Sequence, residues 1–288
     1  MRDSPTMTAL QQLTTRLRDR RAIICIVGLG YVGLPLLLRY AEAGFHVVGI
    51  ETDAAKVARL NQGRSYIDHI PSTDIARARE GRFESTTQFS RCGMADALIV
   101  CVPSPRNAYC EPDLSFVLET VDALLPFLRT GQIVSLESMA YSPAIEGELR
   151  VRLQSRGWIV GTDIFLVFAP EREDLSNVHF NTRTIPKLCS GSTTSCLDAG
   201  LSLYRPAIDR VVPVSATRAA ELAKLLESTH RTVNIGLANE MKIIADKMEI
   251  DLQEVIRAAA TKPFGFNLEP PVSDRKKIRL PSTRLADV

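Results

Sequence analysis

Ala22-Ile23-Ile24-Cys25-Ile26-Val27-Gly28-Leu29-Gly30-Tyr31-Val32-Gly33 is the stretch that decides the fold. Six apolar residues in a row mark a strand buried on both faces, as inside a parallel sheet. The run ends at glycine. From Tyr31 to Ala43 apolar residues then recur at helical spacing, and Gly44 stops them. Gly28, Gly30 and Gly33 stand in a G-x-G-x-x-G pattern, with Tyr31 and Val32 between the last two. The pattern alone is weak, but after a buried strand and at the opening of a helix it reads as a phosphate-binding turn. Gly28 permits the tight turn, Gly30 lets a pyrophosphate approach the backbone, and Gly33 lets the helix close on the strand. The N–H groups at the start of the helix are the phosphate donors.

The next strand, His46-Val47-Val48-Gly49-Ile50, ends in Glu51, 23 positions after Gly28. A carboxylate there accepts from the adenine ribose hydroxyls and repels a 2′-phosphate, which predicts NAD as the cofactor. Asp53, two residues on, reads as the cap of a helix from Ala54 to Leu60.

Farther along, the pattern predicts strands at Ala97–Val102, Gln132–Leu136 and Ile164–Phe168. Helices are predicted at Asp113–Leu128, capped by Asp113, and at 143–156. The alternation predicts an α/β fold with a doubly wound, Rossmann-type parallel sheet. Late strands are expected at Ile185–Leu188 and Val211–Val214, around a helix near 194–204. From Thr217 to Met248 there is no proline. Ala219, Leu222, Leu226, Val233, Leu237, Met241, Ile244 and Met248 recur at steps of three, four or seven. This predicts one helix of about 48 Å. It outruns a small core, so part of its apolar face is expected to meet another chain. A helix over Leu252–Ala260 follows. The expected divisions are a lead-in over 1–21 with a short helix at Ala9–Arg18, a dinucleotide-binding domain over 22–214, a helical region over 215–262, and an unstructured tail over 263–288.

With 35 basic and 33 acidic residues the net charge is +2, which gives no electrostatic reason to expect nucleic acid or a membrane as partner. The basic stretch from Arg275 to Arg284 reads as a solvated tail. No apolar run reaches the ~18 residues of a membrane span, and residues 1–22 lack the apolar core of a signal peptide. A cytoplasmic protein is expected. The six cysteines form no CxxC pair, so no metal site is expected. Cys25 and Cys101 read as core residues.

Val27-Gly28-Leu29-Gly30-Tyr31-Val32-Gly33-Leu34-Pro35 also resembles the opening of the UDP-glucose/UDP-N-acetylhexosamine 6-dehydrogenases. Cys101-Val102-Pro103-Ser104-Pro105 resembles that family's V-P-T-P loop, and Glu137-Ser138 the start of its E-S-T-T loop. Ala169-Pro170-Glu171-Arg172-Glu173-Asp174 resembles S-P-E-R-x-D. Thr184-Ile185-Pro186-Lys187, Glu221-Leu222-Ala223-Lys224-Leu225-Leu226-Glu227 and Lys262-Pro263-Phe264-Gly265-Phe266 are similar to further blocks, all in order over roughly 20–268. The details look closest to the branch acting on N-acetylated UDP-sugars for surface polysaccharides. The resemblance implies two successive oxidations of a C6 alcohol to a carboxylate by NAD, with a cysteine thiolate holding the intermediate. It assigns oxyanion stabilisation to Lys224, acid/base work to Glu171, and a hydroxyl near the cofactor to Ser104, with Glu137 beside it. On the residues alone, Lys224 is equally a helix-surface lysine and Glu171 a strand-end charge.

Departures follow from the same alignment of motifs. Ser228 stands where the family has asparagine. The loop after Glu137-Ser138 reads Met139-Ala140-Tyr141-Ser142-Pro143-Ala144. After Phe266 the family's G-G-H-C-I-P-x-D-P block gives way to Asn267-Leu268-Glu269-Pro270-Pro271, and no cysteine lies beyond Cys196. The expectation is a chain cut short before the nucleophile and the UDP-binding domain, which binds NAD with little activity of its own and forms a homodimer through the 217–248 helix. Two other readings stay open: a non-catalytic dimerising module that pairs with a full-length dehydrogenase, and a hydroxyacid dehydrogenase using Lys224.

Overall fold

The strand that opens the argument is β1 (Ile23–Val27), and it lies near the middle of the sheet. A computed structural model of the chain describes residues 7–105, 113–138, 143–172 and 181–262. These fall into two compact units, Met1–Glu221 and Leu222–Val288.

The first unit is built on an eight-stranded sheet. After β1 come α2 (Gly33–Glu42), β2 (His46–Ile50), α3 (Ala54–Asn61), α4 (Ser72–Gly81), β3 (Phe83–Thr86) and β4 (Ala97–Val100). Then follow α5 (Ser115–Leu124), β5 (Gln132–Leu136), α6 (Pro143–Ser155), β6 (Ile164–Phe168), β7 (Lys187–Gly191), α7 (Thr194–Tyr204) and β8 (Val211–Pro213). The order across the sheet is β3-β2-β1-β4-β5-β6-β7-β8. Its first six strands are parallel, and the order reverses between β1 and β4. In open sheets of this order, ligands bind at that reversal, outside the carboxyl ends of the strands. The central strands are buried along almost their whole length, which is why they read as mostly apolar runs.

Several boundaries differ from the pattern-based expectation. β7 runs antiparallel to β6, so the sheet is not wholly parallel. α4 and β3 have no counterpart in the sequence reading. α4 buries only Ile75 and so carries no apolar stripe, and β3 is a four-residue edge strand with two of its side chains half-exposed. The helix expected from Asp113 begins at Ser115, with Asp113 Oδ1 accepting from the Ser115 N–H at 2.9 Å. It tightens into a 3₁₀ turn at Leu125–Phe127, where Pro126 has no N–H to donate.

The lead-in is a packed element. α1 (Ala9–Arg18) is opened by a reciprocal cap in which Thr8 Oγ1 accepts from the Gln11 N–H and the Gln11 side chain accepts from the Thr8 N–H. It buries Leu13 and Leu17 against α7. Asp96, buried just before β4, accepts from Arg16, from Arg129 and from the Ile23 N–H, and so ties α1 to the amino ends of the central strands.

α8 (Thr217–Lys247) is a single helix of 31 residues that begins in the first unit and continues through the second. α9 (Leu252–Ala259) follows, capped by Asp251. Along α8, Leu222, Leu226, Val233, Leu237 and Ile244 are exposed, Leu226 by 68%, as is Met248 just past its end. The tail expected over 263–288 lies outside the described residues.

Candidate dinucleotide site

The turn after β1 is shaped by its glycines. Gly28 takes φ +89°, and a Cβ there would stand 2.8 Å from the Cys101 carbonyl oxygen. A Cβ on Gly33 would fall 1.8 Å from the Gly28 carbonyl oxygen, so only glycine lets α2 start so close to β1. At Gly30 a Cβ would meet nothing within 4 Å. Open space beside the second glycine is what an approaching pyrophosphate needs. Tyr31 and Val32 complete the turn, and Tyr31 stacks on His69 with ring centroids 6.0 Å apart.

Glu51 is buried at the end of β2 and faces this turn. Its Oε2 accepts from the Leu29 N–H at 3.0 Å, and its Oε1 from the Asp53 N–H at 3.2 Å. Lys56 Nζ stands 3.9 Å from Oε2. Asp53 caps α3, its Oδ1 accepting from the N–H groups of Ala55 and Lys56. Tyr66, which the sequence reading passed over, donates its hydroxyl to the Leu29 carbonyl at 2.5 Å. No residue pattern singles it out, because it lies on a loop between α3 and α4.

A second cluster gathers at the carboxyl ends of β4, β5 and β6. Ser104, Glu137 and Glu171 all follow strand ends there, and backbone bonds stitch the segments together. The Glu137 N–H donates to the Val100 carbonyl, and the Glu171 N–H to the Glu137 carbonyl. Ser138 Oγ donates to the Val102 carbonyl at 2.6 Å, holding the segment that leads to Ser104. Because β7 runs antiparallel, with Phe168 level with Ser190, its first residue returns to this same edge. Lys187 Nζ donates to Glu137 Oε2 at 2.5 Å, and both side chains are buried. Burial pulls the Lys187 ammonium down, but Glu137 and then Glu171 outweigh it and leave its pKa above the ordinary lysine value. Beneath them the Tyr204 hydroxyl pairs with Ser135 Oγ at 2.8 Å. Lys187 was visible in sequence only as part of a family-like block. Its pairing depends on the strand reversal, which the residue pattern does not reveal.

Two buried oxygens here, Ser104 Oγ and Glu137 Oε1, have no hydrogen-bond partner among the described residues. Buried polar atoms are rarely left so unless a ligand or water completes them. An open phosphate cradle, a carboxylate at the ribose end and unfilled polar atoms along the same strand edge fit a bound dinucleotide.

Lys224 and Ser228 lie one turn apart on α8 in the second unit, both half-buried. The five described cysteines, Cys25, Cys92, Cys101, Cys189 and Cys196, are all buried and reduced, while Cys110 lies outside the described residues. Burial pushes the Cys92 thiol up to about 11 and Cys189 to about 12, so neither is a ready nucleophile. Among the described residues no cluster of three metal-ligating side chains occurs, and no helix is long and apolar enough to cross a membrane.

Residues 22–208 match the NAD binding domain of the UDP-glucose/GDP-mannose dehydrogenase family, and residues 218–272 match that family's central domain. The chain is 33% identical over 242 residues to the UDP-N-acetyl-D-glucosamine 6-dehydrogenase of Pseudomonas aeruginosa, covering 83% of this chain and 56% of that one. It is 31% identical over 249 residues to Protein CapL of Staphylococcus aureus, covering 86% and 58%. Among solved structures, the UDP-N-acetyl-mannosamine dehydrogenase Cap5O from Staphylococcus aureus superposes with a TM-score of 0.77 at 29% identity, covering 87% of this chain and 61% of that one. The chain therefore spans under three fifths of the length of these two curated relatives. With the glycine turn, the strand order and both domain matches in agreement, the chain belongs to the UDP-glucose/GDP-mannose dehydrogenase family, whose NAD-binding domain it carries.

Proposed function

We propose that the chain holds NAD along the carboxyl edge of β1, β2, β4 and β5 and serves the oxidation of a UDP-N-acetylhexosamine or UDP-glucose to its uronic acid. The observation that carries this reading is the Gly28–Gly33 turn, open at Gly30 and faced by the buried carboxylate of Glu51. The similarity to a UDP-N-acetyl-D-glucosamine 6-dehydrogenase supports the choice of sugar.

When bound, NAD supplies a hydride acceptor. The chain's own residues do the rest. Gly28, Gly30, Tyr31, Val32 and Gly33 present backbone to the pyrophosphate, and Glu51 takes the adenine ribose. Ser104 and Glu137 line the edge farther along. Lys187 donates to Glu137 Oε2 and so fixes that carboxylate along the edge. Glu171 is the acid/base group. Lys224 supplies positive charge for a developing oxyanion, with Ser228 beside it on α8 as a weaker donor than an amide.

The 288-residue chain on its own binds NAD without completing the two oxidations. Its described thiols are buried, Ser228 stands at the asparagine position, and Asn267-Leu268-Glu269-Pro270-Pro271 stands where the family's cysteine block begins. Incubation with NAD and UDP-N-acetylglucosamine, followed at 340 nm, is expected to give no sustained NADH signal. Robust turnover would refute this claim while leaving the cofactor site intact.

A second reading rests on the exposed apolar residues of α8. A stripe containing Leu222, Leu226, Val233 and Leu237 suits a partner helix, either in a second copy of this chain or in a longer dehydrogenase. In that reading the chain is a cytoplasmic NAD-binding dimerisation module. Co-purification from its native cell separates the two: a stable complex with a catalytic subunit supports the module.

A further inference from the structure

Leu29, between the first two glycines of the turn, is held on three sides. Its side chain is fully buried over Gly49 of β2, where a Cβ would come within 2.8 Å of Leu29 Cδ1. Its N–H donates to Glu51 Oε2 at 3.0 Å. Its carbonyl accepts the Tyr66 hydroxyl at 2.5 Å.

The consequence lies in the flanking peptides. A trans peptide is planar, with its C=O and N–H pointing in opposite directions. Holding the Leu29 carbonyl on the Tyr66 side therefore turns the Gly30 N–H to the other side. Holding the Leu29 N–H on Glu51 likewise turns the Gly28 carbonyl away from Glu51. Glycine offers little resistance to peptide rotation, so the Leu29–Gly30 unit needs an outside restraint. Tyr66 supplies it. Lys56 Nζ lies 5.7 Å from the centre of the Tyr66 ring, which helps fix the ring. Burial, and then the charge of Glu51, push the phenol's pKa up, so it stays protonated and donates.

We propose that Tyr66 is a positioning residue of the dinucleotide site, whose hydroxyl orients the Gly30 N–H toward the pyrophosphate by holding the Leu29 carbonyl. The proposal rests on reading the Gly28–Gly33 turn as the NAD site. It assigns Tyr66 an effect on the phosphates and none on adenosine itself. Without the hydroxyl the Leu29–Gly30 peptide is free to turn its carbonyl toward the phosphate, and binding is preceded by a costly reorientation.

The test is titration of the 288-residue chain and of Tyr66→Phe with NADH, ADP-ribose and adenosine, beside a thermal melt of each protein without ligand. For Tyr66→Phe, NADH and ADP-ribose are expected to weaken by about tenfold, the scale of one hydrogen bond. Adenosine affinity and the melting temperature are expected to hold. Unchanged NADH affinity would overturn the proposal. So would an equal loss for adenosine, which would make Tyr66 an adenosine contact, or a large fall in the melt, which would make the hydroxyl a fold contact. Failure of the unsubstituted chain to bind NADH would instead remove the underlying site reading, and that arm distinguishes the two failures.

Discussion

Gly30 and Gly33 sit three residues apart in one motif, yet the structure gives them different tasks. Gly33→Ala places a methyl against the Gly28 carbonyl, so the turn must deform. A loss of stability of about 1–3 kcal/mol is expected in chemical denaturation, together with loss of cofactor. Gly30→Ala meets no protein atom. It is expected to leave the melt within a few degrees while weakening NADH by at least about tenfold, since the methyl stands where a phosphate belongs. Equal destabilisation by the two substitutions would contradict this division. The glycine pattern was legible in sequence because it sits between a strand and a helix. The division of labour was expected from the motif as well, while the Cys101 and Gly28 backbone atoms that exclude a side chain became visible only in the fold. Glu51 was legible from its spacing. Tyr66 was not, since nothing about a lone tyrosine in a loop reveals which carbonyl it reaches.

At the scale of elements, the buried Lys187–Glu137 pair joins β7 to the end of β5. Removing one partner leaves the other charge buried and uncompensated. Lys187→Met is expected to cost about 3–5 kcal/mol in urea unfolding, and adding Glu137→Gln to recover a large part of it. A double variant as unstable as the sum of the singles would show that the two residues do not act as a pair. A pH effect belongs to the start of α8. Glu221 Oε1 is buried without a hydrogen-bond partner among the described residues. Burial, and then the nearby Glu146 charge, push its carboxyl up to about 7 against the pull of Arg218. Its folded pKa lies above its unfolded one, so its contribution is full below about 4.5 and is lost as pH rises through about 7. Glu221→Gln is therefore expected to raise the melting temperature more at pH 8 than at pH 5. The reverse order would contradict the assigned shift. Strands β1, β4 and β6 were legible because burial on both faces makes them unbroken apolar runs, and β2 and β5 because they are mostly so. α4 and β3 escaped because an edge strand and a solvated helix carry no such signal, and β7's direction escaped because residue pattern is blind to it.

At the scale of the whole molecule, two features set behaviour in solution. Asp96 ties the lead-in helix to the sheet through Arg16 while also holding Arg129 and the Ile23 N–H. Asp96→Ala is expected to destabilise the chain by about 2 kcal/mol or more, read from its denaturation midpoint. The exposed stripe on α8 is the other. Sedimentation of the chain is expected to show a dimer, and Leu226→Glu with Leu237→Glu to shift it to monomer without loss of NADH binding. A monomer before substitution would remove the dimerisation reading. The long helix was legible from periodicity, and its surplus of apolar positions follows from the same pattern. The residues that act together along the strand edge became visible only once the sheet order was known.

The most direct measurement is a titration of the 288-residue chain with NADH and, separately, NADPH, followed by nicotinamide fluorescence, with Gly30→Ala as control. The account predicts saturable binding of NADH, binding of NADPH weaker by at least about tenfold because Glu51 opposes a 2′-phosphate, and NADH weakened by at least about tenfold in the control. A folded chain that leaves NADH fluorescence unchanged, or that takes both cofactors equally, would contradict it.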